Sequence, residues 1–525
     1  MKTFVKRMGM VLFAFALILN LVACSGANNT GTKDVNGNAE SQGGDATTSS
    51  GDEEPVNLTM AFLVFGSVPN DMKKVNDAIN DYLKEKINCT LTMIPINASN
   101  YSQQIDLMLT SDEKLDLFAD GTILAFFNYT SHASKGQLYP MNDLLAQYGQ
   151  GISGALGDYV NAASVNGEIY GVATNRDLAA RTSFICKTSL LEKHGIDPAS
   201  IKTYTDLESM FKTIKDNEPG VTPAMIGQTA SGTIFDSLGL SVDTKGDQLS
   251  DMIGVLMDNQ KLEVTDYYQT EKCKEAAERV YDWYQKGYIL QDATTNQSSA
   301  EELMKAGTLF GFFGNTKPGI ETQEAASVGE DVTEIILSDT LSDTQKVTGF
   351  MWSIAAASEY PDKAMQVLNL MYSDPAFVNL LDHGIEGTHY KVVDEKNGII
   401  NYPDGIDGST SGYDMGVDFE FGNQMISYIW EGDSPTLWKD LDEFNQSATV
   451  SKAMGFQFDS SNVKTEYAAV TSVIDKYKQS IGQGTVDPDT VLPEFIEMLQ
   501  KAGIDTIIKE KQTQLGEFAK VNNIQ

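Results

Sequence analysis

Residue types that can do enzyme chemistry are present in this 525-residue chain, but they do not stand at catalytic spacings. The chain has no Gly-x-Ser-x-Gly, His-Glu-x-x-His or phosphate-loop sequence. The four histidines lie far apart, without a second ligand at metal spacing: His132, His194, His383 and His389. A glycoside hydrolase needs only two carboxylates, and 73 acidic residues give no means of choosing a pair. The sequence therefore predicts a protein that is not an enzyme and that needs no metal and no cofactor, with a glycoside hydrolase as the open alternative.

Charge and length limit what the chain can bind and how it folds. It carries 38 basic and 73 acidic residues, a net charge of −35. Such a surface repels nucleic acid, so no nucleic-acid partner is expected. About 470 ordered residues are too many for one core and predict at least two lobes. Beyond Cys24, the three cysteines Cys89, Cys186 and Cys273 lack metal-ligand spacing, and we expect buried free thiols.

The N-terminal residues have the pattern of a secretory signal. Lys2, Lys6 and Arg7 precede an apolar stretch, Met8–Ala23, which is too short and too early in the chain for a membrane span. We therefore predict a signal peptide over residues 1–23.

The end of this signal carries a modification motif. Leu21–Cys24 (LVAC) resembles the lipobox of bacterial lipoproteins, in which the cysteine becomes the lipidated first residue of the mature protein. Residues 25–54 are almost entirely small and polar, so they cannot bury enough apolar surface to order themselves. The prediction is a lipid on Cys24 and a flexible tether over 24–54, which anchor a monomeric protein to the extracellular face of the cytoplasmic membrane. An ordinary secreted protein is the alternative.

The first folded stretch predicts an α/β lobe. Strands are expected at Val56–Phe65, Thr90–Ile96 and Leu115–Ala119, and the residues between them have helical spacing. Strands that alternate with helices form right-handed βαβ units and a parallel sheet. Ligands bind beyond the carboxyl ends of such strands, which makes Phe65 and Asp120 site candidates.

Five later segments carry a family resemblance. They are Asn166–Val172 (NGEIYGV), Phe184–Asp197 (FICKTSLLEKHGID), Gly307–Asn315 (GTLFGFFGN), Thr348–Ile354 (TGFMWSI) and Gly384–Tyr390 (GIEGTHY). In this order they resemble the extracellular solute-binding proteins of ABC importers, in particular the family-1 group rich in oligosaccharide binders. The last segment resembles a larger subgroup with an extended C-terminal region.

The resemblance implies a periplasmic-binding-protein-like α/β fold with a ligand cleft between two lobes. Lobe 1 is expected to comprise residues 55–175 and 314–375, and lobe 2 residues 176–313 and 376–525. It also implies a function: capture of an oligosaccharide by hinge closure, followed by delivery to the permease subunits of an ABC transporter. A peptide ligand is the second choice within this class, and a surface adhesin is an alternative from another class.

A sugar cleft needs aromatic faces that stack on pyranose rings and polar groups that bind hydroxyls. The predicted loops and strand ends carry both kinds: Phe65, Asp120, Tyr170, Asn175, Arg176, Asn315, Trp352, Glu386 and Tyr390. Trp352 is the main candidate for the stacking platform, because it lies on the strand expected under the cleft and precedes the small residues Ala355–Ala357. Arg176 has a competing role, an ion pair with Asp177 that would tie the crossover.

Overall fold

The computed structural model describes residues 54–524 apart from 112, 123–126, 230–231 and 236–241. The predicted signal peptide, Cys24 and nearly the whole predicted tether lie outside the described residues. Over the residues that are described, no helix is long and apolar enough to cross a membrane.

The chain begins with the predicted βαβ units. Its elements up to residue 173 are β1 (Val56–Val64), α1 (Met72–Ile87), β2 (Cys89–Asn97), α2 (Tyr101–Thr110), β3 (Leu117–Asp120), α3 (Tyr129–Ser134), α4 (Asn142–Tyr148), α5 (Gln150–Leu156), β4 (Ser164–Val165), β5 (Glu168–Ile169) and β6 (Gly171–Ala173). β1 pairs in parallel with β2 and with β3, as predicted. Helix α1 buries the residues at its helical spacing against this sheet: Met72, Val75, Ile79 and Leu83.

A second sheet follows in the next part of the chain. The elements are β7 (Arg181–Lys187), α6 (Thr188–His194), α7 (Tyr204–Asn217), β8 (Thr222–Met225), β9 (Val255–Leu256), β10 (Val264–Thr265), α8 (Glu271–Gln285), α9 (Ala300–Lys305), β11 (Leu309–Thr316), α10 (Ile320–Val328) and β12 (Val332–Ile336). Its four main strands have the order β12-β7-β11-β8. Helix α7 starts with a capping box in which Thr203 and Asp206 exchange hydrogen bonds.

The third part of the chain returns to the first sheet. Its elements are β13 (Leu341–Ser342), α11 (Thr344–Val347), β14 (Met351–Ile354), α12 (Pro361–Ser373), α13 (Pro375–Asp382), β15 (Lys391–Asp394), β16 (Ile399–Asn401), β17 (Ile429–Trp430), α14 (Leu437–Ser447) and β18 (Thr449–Val450). Strand β14 inserts antiparallel between β3 and β6. The five-stranded sheet therefore has the order β2-β1-β3-β14-β6.

Three helices close the chain: α15 (Lys464–Gly482), α16 (Pro488–Ala502) and α17 (Ile504–Val521). Their apolar faces join the core of the second sheet through Val470, Phe495 and Ile507. We call the five-stranded sheet with its helices lobe 1, and the four-stranded sheet with its helices, including α15 to α17, lobe 2.

The predicted lobe boundaries need two corrections. Lobe 1 is predicted to include residues 314–375, but the end of β11 and the whole of β12 pair with β7 in the lobe 2 sheet. Residues after 375 were assigned to lobe 2, but Phe377 of α13 and the later Phe421 pack in the lobe 1 core. The sequence pattern shows only that these segments are amphipathic or apolar. Long-range packing decides which lobe each of them joins.

Three crossovers between the lobes lie side by side. The first crossover comprises residues 174–180, and the second contains strand β13. They are joined at Ala180 and Leu341, whose main chains exchange hydrogen bonds of 2.9 Å. The buried side chain of Asn445, before the third crossover strand β18, accepts from Leu178 N at 2.9 Å and donates to Arg176 O at 2.6 Å. The crossovers thus form one hydrogen-bonded hinge.

Candidate functional site

A polar groove follows the edge of the lobe 2 sheet at which β7 begins and β8 and β11 end. Antiparallel pairing sets Arg181 opposite Thr316, and β8, which is parallel to β11, brings Gln228 to the same edge. The groove has a volume of about 390 Å³ and an adjoining recess one of about 170 Å³. The two share Ala180, Gln228, Gly314, Asn315 and Lys346 as lining residues. The groove alone has the volume of a small-molecule site.

Arg181 is fixed in the groove by a partly buried acid, Glu334. Its guanidinium donates to Glu334 through Nε at 3.0 Å and through Nη2 at 2.6 Å. Ser183 Oγ, at 2.7 Å, and Thr316 Oγ1 also donate to that carboxylate. This two-point pairing holds the guanidinium plane in one orientation and neutralises it. The network therefore supplies a preorganised polar wall rather than a free charge.

Lys346 lines both the groove and the recess. Burial lowers the pKa of its ammonium group, against the opposing effect of the nearby carboxylates Asp177 and Asp343. The Asp343 carboxylate caps α11 and accepts from the main-chain nitrogen of Lys346 at 2.9 Å. Within the described part of the chain the ammonium group makes no ion pair, so it is a donor that a ligand oxygen can use.

The recess contains a buried acid, Glu324, with only 2% of its surface exposed. Among the described residues its Oε2 has no hydrogen-bond partner. Burial, with a smaller effect of the Glu301 carboxylate, raises the pKa of Glu324 to about 7. The carboxyl group therefore changes its protonation state near neutral pH. When protonated it can donate a hydrogen bond to a hydroxyl group, and when ionised it can accept one.

Four predicted site residues are at least partly exposed. Asn315 is exposed and lines both the groove and the recess. Phe65 is 52% exposed at the carboxyl end of β1. Arg176 pairs with Asp177 at 2.5 Å, which is the competing role predicted for it. Glu386 is exposed on the loop before β15 and does not line the groove.

Trp352 is not a platform in the cleft, and this prediction is wrong. Its side chain is completely buried in the lobe 1 core. The indole Nε1 donates to the main-chain oxygen of Glu420 at 2.7 Å, and the ring stacks on Phe421 with centroids 6.0 Å apart. The segment around Glu420 returns to lobe 1 and covers the face of β14 that carries Trp352, which was predicted to face the cleft.

Four other predicted contacts are also structural. Asp120 is buried and binds His132 Nδ1 at 2.7 Å. Asn175 is buried in the hinge, where its Nδ2 donates to Asn423 at 2.9 Å. Tyr390 is buried between His383 and Tyr428, with ring centroids 6.0 and 5.8 Å away, and the half-buried Tyr170 packs on the lobe 1 core. These polar and aromatic groups position the chain rather than face the groove.

Most of the polar residues that line the groove are not among those predicted from the sequence: Arg181, Thr182, Gln228, Gln248, Gln345 and Lys346. Gln228 follows the end of a strand, as Phe65 does, so the same rule would have made it a site candidate. The others lie at the start of β7, in a lobe 2 loop or in α11, where residue type alone does not separate a ligand contact from an exposed polar residue.

Two family descriptions match this chain. The description "bacterial extracellular solute-binding protein" matches residues 66–376, and a domain of unknown function, DUF3502, matches residues 452–520. A carbohydrate ABC transporter substrate-binding protein of Streptococcus pneumoniae serotype 4 is 27% identical over 472 residues, which are 87% of this chain and 90% of the relative.

Solved structures give the same fold. The N-glycan transport solute binding protein NgtS of Streptococcus pneumoniae has a TM-score of 0.77 at 24% identity and covers 89% of this chain and 99% of its own. Its complex with Man1GlcNAc has a TM-score of 0.67 at 25% identity, with 88% and 99% coverage.

A two-lobe α/β fold with three crossovers and a polar groove at the carboxyl edge of a sheet defines a ligand-binding protein. The chain belongs to the bacterial extracellular solute-binding protein family. The family and the fold predicted from the sequence are thereby confirmed.

Proposed function

We propose that this protein is the carbohydrate-capturing component of an ABC importer and that its ligand is an oligosaccharide. The observation that carries the proposal is the groove, where amide, guanidinium, carboxyl and ammonium groups converge on one volume at the hinge. The similarity to a carbohydrate transporter component over 87% of the chain supports it. So does the similarity to a structure that holds Man1GlcNAc.

The groove chemistry suits neutral hydroxyl groups. The amides of Gln228 and Asn315 both donate and accept, and Lys346 donates. A sugar that lacks a matching hydroxyl leaves such groups buried and unpaired, which is how polar sites discriminate between related ligands. Arg181 and Glu334 already neutralise each other, so the groove does not demand a charged ligand.

Capture occurs by movement of the lobes about the hinge of crossovers. A ligand drives closure only to the extent that it binds the closed form better than the open form. In this proposal the sugar binds on the lobe 2 edge, lobe 1 closes over it, and the closed form docks on the permease. The protein acts as a monomer held to the outer face of the cytoplasmic membrane by lipid on Cys24.

A thermal-shift screen of residues 55–525 tests the ligand class. The panel contains mono- and oligosaccharides, including Man1GlcNAc and Man5GlcNAc, with peptides as contrast. A ligand at a hundredfold excess over its Kd stabilises the folded state by about 2.7 kcal/mol. Stabilisation by oligosaccharides that is lost in Asn315→Ala and kept in the exposed control Glu386→Ala supports the proposal.

Other outcomes identify the alternatives. Stabilisation by peptides alone indicates a peptide importer, and sugar products released during incubation indicate a glycoside hydrolase. No response to any compound favours an adhesin.

The anchor has its own test. Cys24→Ser removes the thiol that would carry the lipid, so the protein should move from the membrane fraction to the medium. Retention of the variant at the membrane contradicts lipid attachment at this residue.

A further inference from the structure

A third cavity, of about 290 Å³, lies where the segment matched to the domain of unknown function meets lobe 1. Lobe 1 contributes residues after β3, such as Thr130, and lobe 2 contributes a loop with Asp251. The C-terminal segment contributes Gln457, Phe458 and Tyr467. The volume is near the lower end of the range of small-molecule sites, roughly 300–1,000 Å³.

The start of the C-terminal segment is fixed to both lobes. Phe456 packs with Leu515 of α17 in lobe 2, while Met454 packs on the lobe 1 core. Thr130 of lobe 1 donates through Oγ1 to Gln457 Oε1 at 2.5 Å. The walls of this cavity are therefore held in place without a ligand.

One wall presents an oriented carboxylate. Asp251 accepts from Tyr467 OH at 3.0 Å and from Lys511 Nζ at 2.6 Å. Lys511 is completely buried, so the ion pair fixes the carboxylate rather than leaving it to solvent. The main-chain nitrogen of Ile253 also donates to Oδ1 of Asp251, at 2.7 Å. Of the roughly four acceptor positions of a carboxylate, one on Oδ2 therefore remains for a hydroxyl donor.

A second wall holds an amide whose donors are unused. Gln457 Nε2 is buried and has no hydrogen-bond partner among the described residues, while Oε1 is held by Thr130. A buried donor without a partner costs free energy, which a hydroxyl oxygen of a ligand would recover. Beside it, the half-buried ring of Phe458 lies 6.2 Å from the ring of Tyr467, with Lys511 Nζ over it at 4.9 Å from the centroid, and adds apolar surface to this wall.

This cavity and the groove are neighbours. Gln345 and Lys346 of α11 line the groove, whereas Thr344 and Thr348 line the cavity. In lobe 2 the same loop lines the groove at Gln248 and the cavity at residues 249–251. One short helix and one loop therefore separate the two volumes.

We propose that the C-terminal segment, residues 452–520, builds a second sugar subsite of the cleft, which takes a further ring of an oligosaccharide bound in the groove. A pyranose ring has hydroxyl groups that donate to Asp251 and accept from Gln457, and an apolar face that packs against the exposed part of Phe458. The inference rests on the proposed function and adds a role for the segment: it extends the cleft to longer glycans.

Calorimetry with Man1GlcNAc and Man5GlcNAc tests the subsite, using residues 55–525 and the variants Gln457→Ala and Phe458→Ala. Each variant should weaken Man5GlcNAc about fivefold or more and change Man1GlcNAc by less than about twofold. Asn315→Ala in the groove should weaken both sugars. Gln446→Ala, on the surface of α14, should change neither.

The two proposals fail in different ways. Wild-type protein that binds neither sugar nor any other glycan of the panel overturns the proposed function, and the subsite with it. Wild-type binding with unchanged Man5GlcNAc affinity in Gln457→Ala and Phe458→Ala overturns the subsite alone. Equal weakening of both sugars by these variants also overturns it, because it indicates an effect on the groove or on the fold.

Discussion

Trp352 in β14 donates its indole hydrogen to the main-chain oxygen of Glu420 at 2.7 Å. Glu420 is itself fully buried, and its Oε1 accepts from the main-chain nitrogen of Leu63 at the end of β1. One residue of the return segment thus joins two strands of the lobe 1 sheet. This relationship places the tryptophan in the structural core of lobe 1, behind the cleft rather than in it.

Truncating this side chain should therefore cost stability. Trp352→Ala leaves a cavity beside Phe421 and an unpaired carbonyl at Glu420, and should lower the free energy of unfolding by about 3–5 kcal/mol in a denaturant titration. Trp430→Ala, at a half-buried position stacked on Tyr402, is the control and should cost less. A variant of unchanged stability that no longer binds glycan would restore Trp352 as a ligand platform.

The hinge depends on one amide. Asn445 pairs with the main chain of both Arg176 and Leu178, and only 5% of its surface is exposed. Asn445→Ala leaves a buried N–H and a buried C=O without partners, so it should lower the free energy of unfolding by about 1–3 kcal/mol. Asn462→Ala, at an exposed position, should have almost no effect. Equal stabilities of the two variants would show that the hinge does not need this amide.

The elements of lobe 1 could be predicted from the sequence because their periodicity is local. The strand predicted at Val56–Phe65 ends one residue earlier in the structure, at Val64. The predicted strand Leu115–Ala119 starts two residues and ends one residue too early, since Leu115 precedes the strand although it is buried. Local patterns thus give the type of element more reliably than its ends.

The site was harder to predict because its residues are distant in sequence and ordinary in type. Asn315 was found from its place at the end of a strand. Trp352 was misplaced because burial by Phe421, 69 positions later, follows from packing that no local pattern contains. Arg181 was missed because its partner Glu334 lies on another strand, paired only in the folded sheet.

The predicted free thiols are confirmed, and their reactivity can be measured. Cys89, Cys186 and Cys273 are free and buried. Burial raises the pKa of Cys89 to about 11 and raises the pKa values of Cys186 and Cys273 further. At pH 8 a pKa of 11 leaves roughly 0.1% thiolate, against roughly a quarter for an ordinary cysteine.

Ellman's reagent should therefore react with native residues 55–525 at least about a hundredfold more slowly than with the protein unfolded in guanidinium, where all three thiols are accessible. One rapid equivalent in the native protein would show that a thiol is open to solvent. Comparison of Cys89→Ser with the parent chain shows whether Cys89 is the most reactive of the three thiols.

The buried acid of the recess makes stability depend on pH. The pKa of Glu324 is about 7 in the folded protein, above the roughly 4.3 of an unfolded glutamate. Between these values the folded state binds more protons than the unfolded state, so this group lowers the free energy of unfolding as pH rises from about 4 to 7. Above pH 7 this decrease in the free energy of unfolding is complete. Its cause is the desolvation of the ionised carboxylate, with a smaller effect of the nearby Glu301.

In Glu324→Gln the side chain cannot ionise, so the free energy of unfolding does not fall with pH through this group. Without ligand, its free energy of unfolding should match that of the parent near pH 4 and exceed it by about 1–3 kcal/mol at pH 8, as measured by denaturant titration at both values. The exposed Glu395→Gln should show no such dependence. A constant difference between variant and parent at the two pH values would mean that folding does not raise the pKa of Glu324. Its carboxylate would then be ionised at neutral pH and act only as an acceptor in the recess.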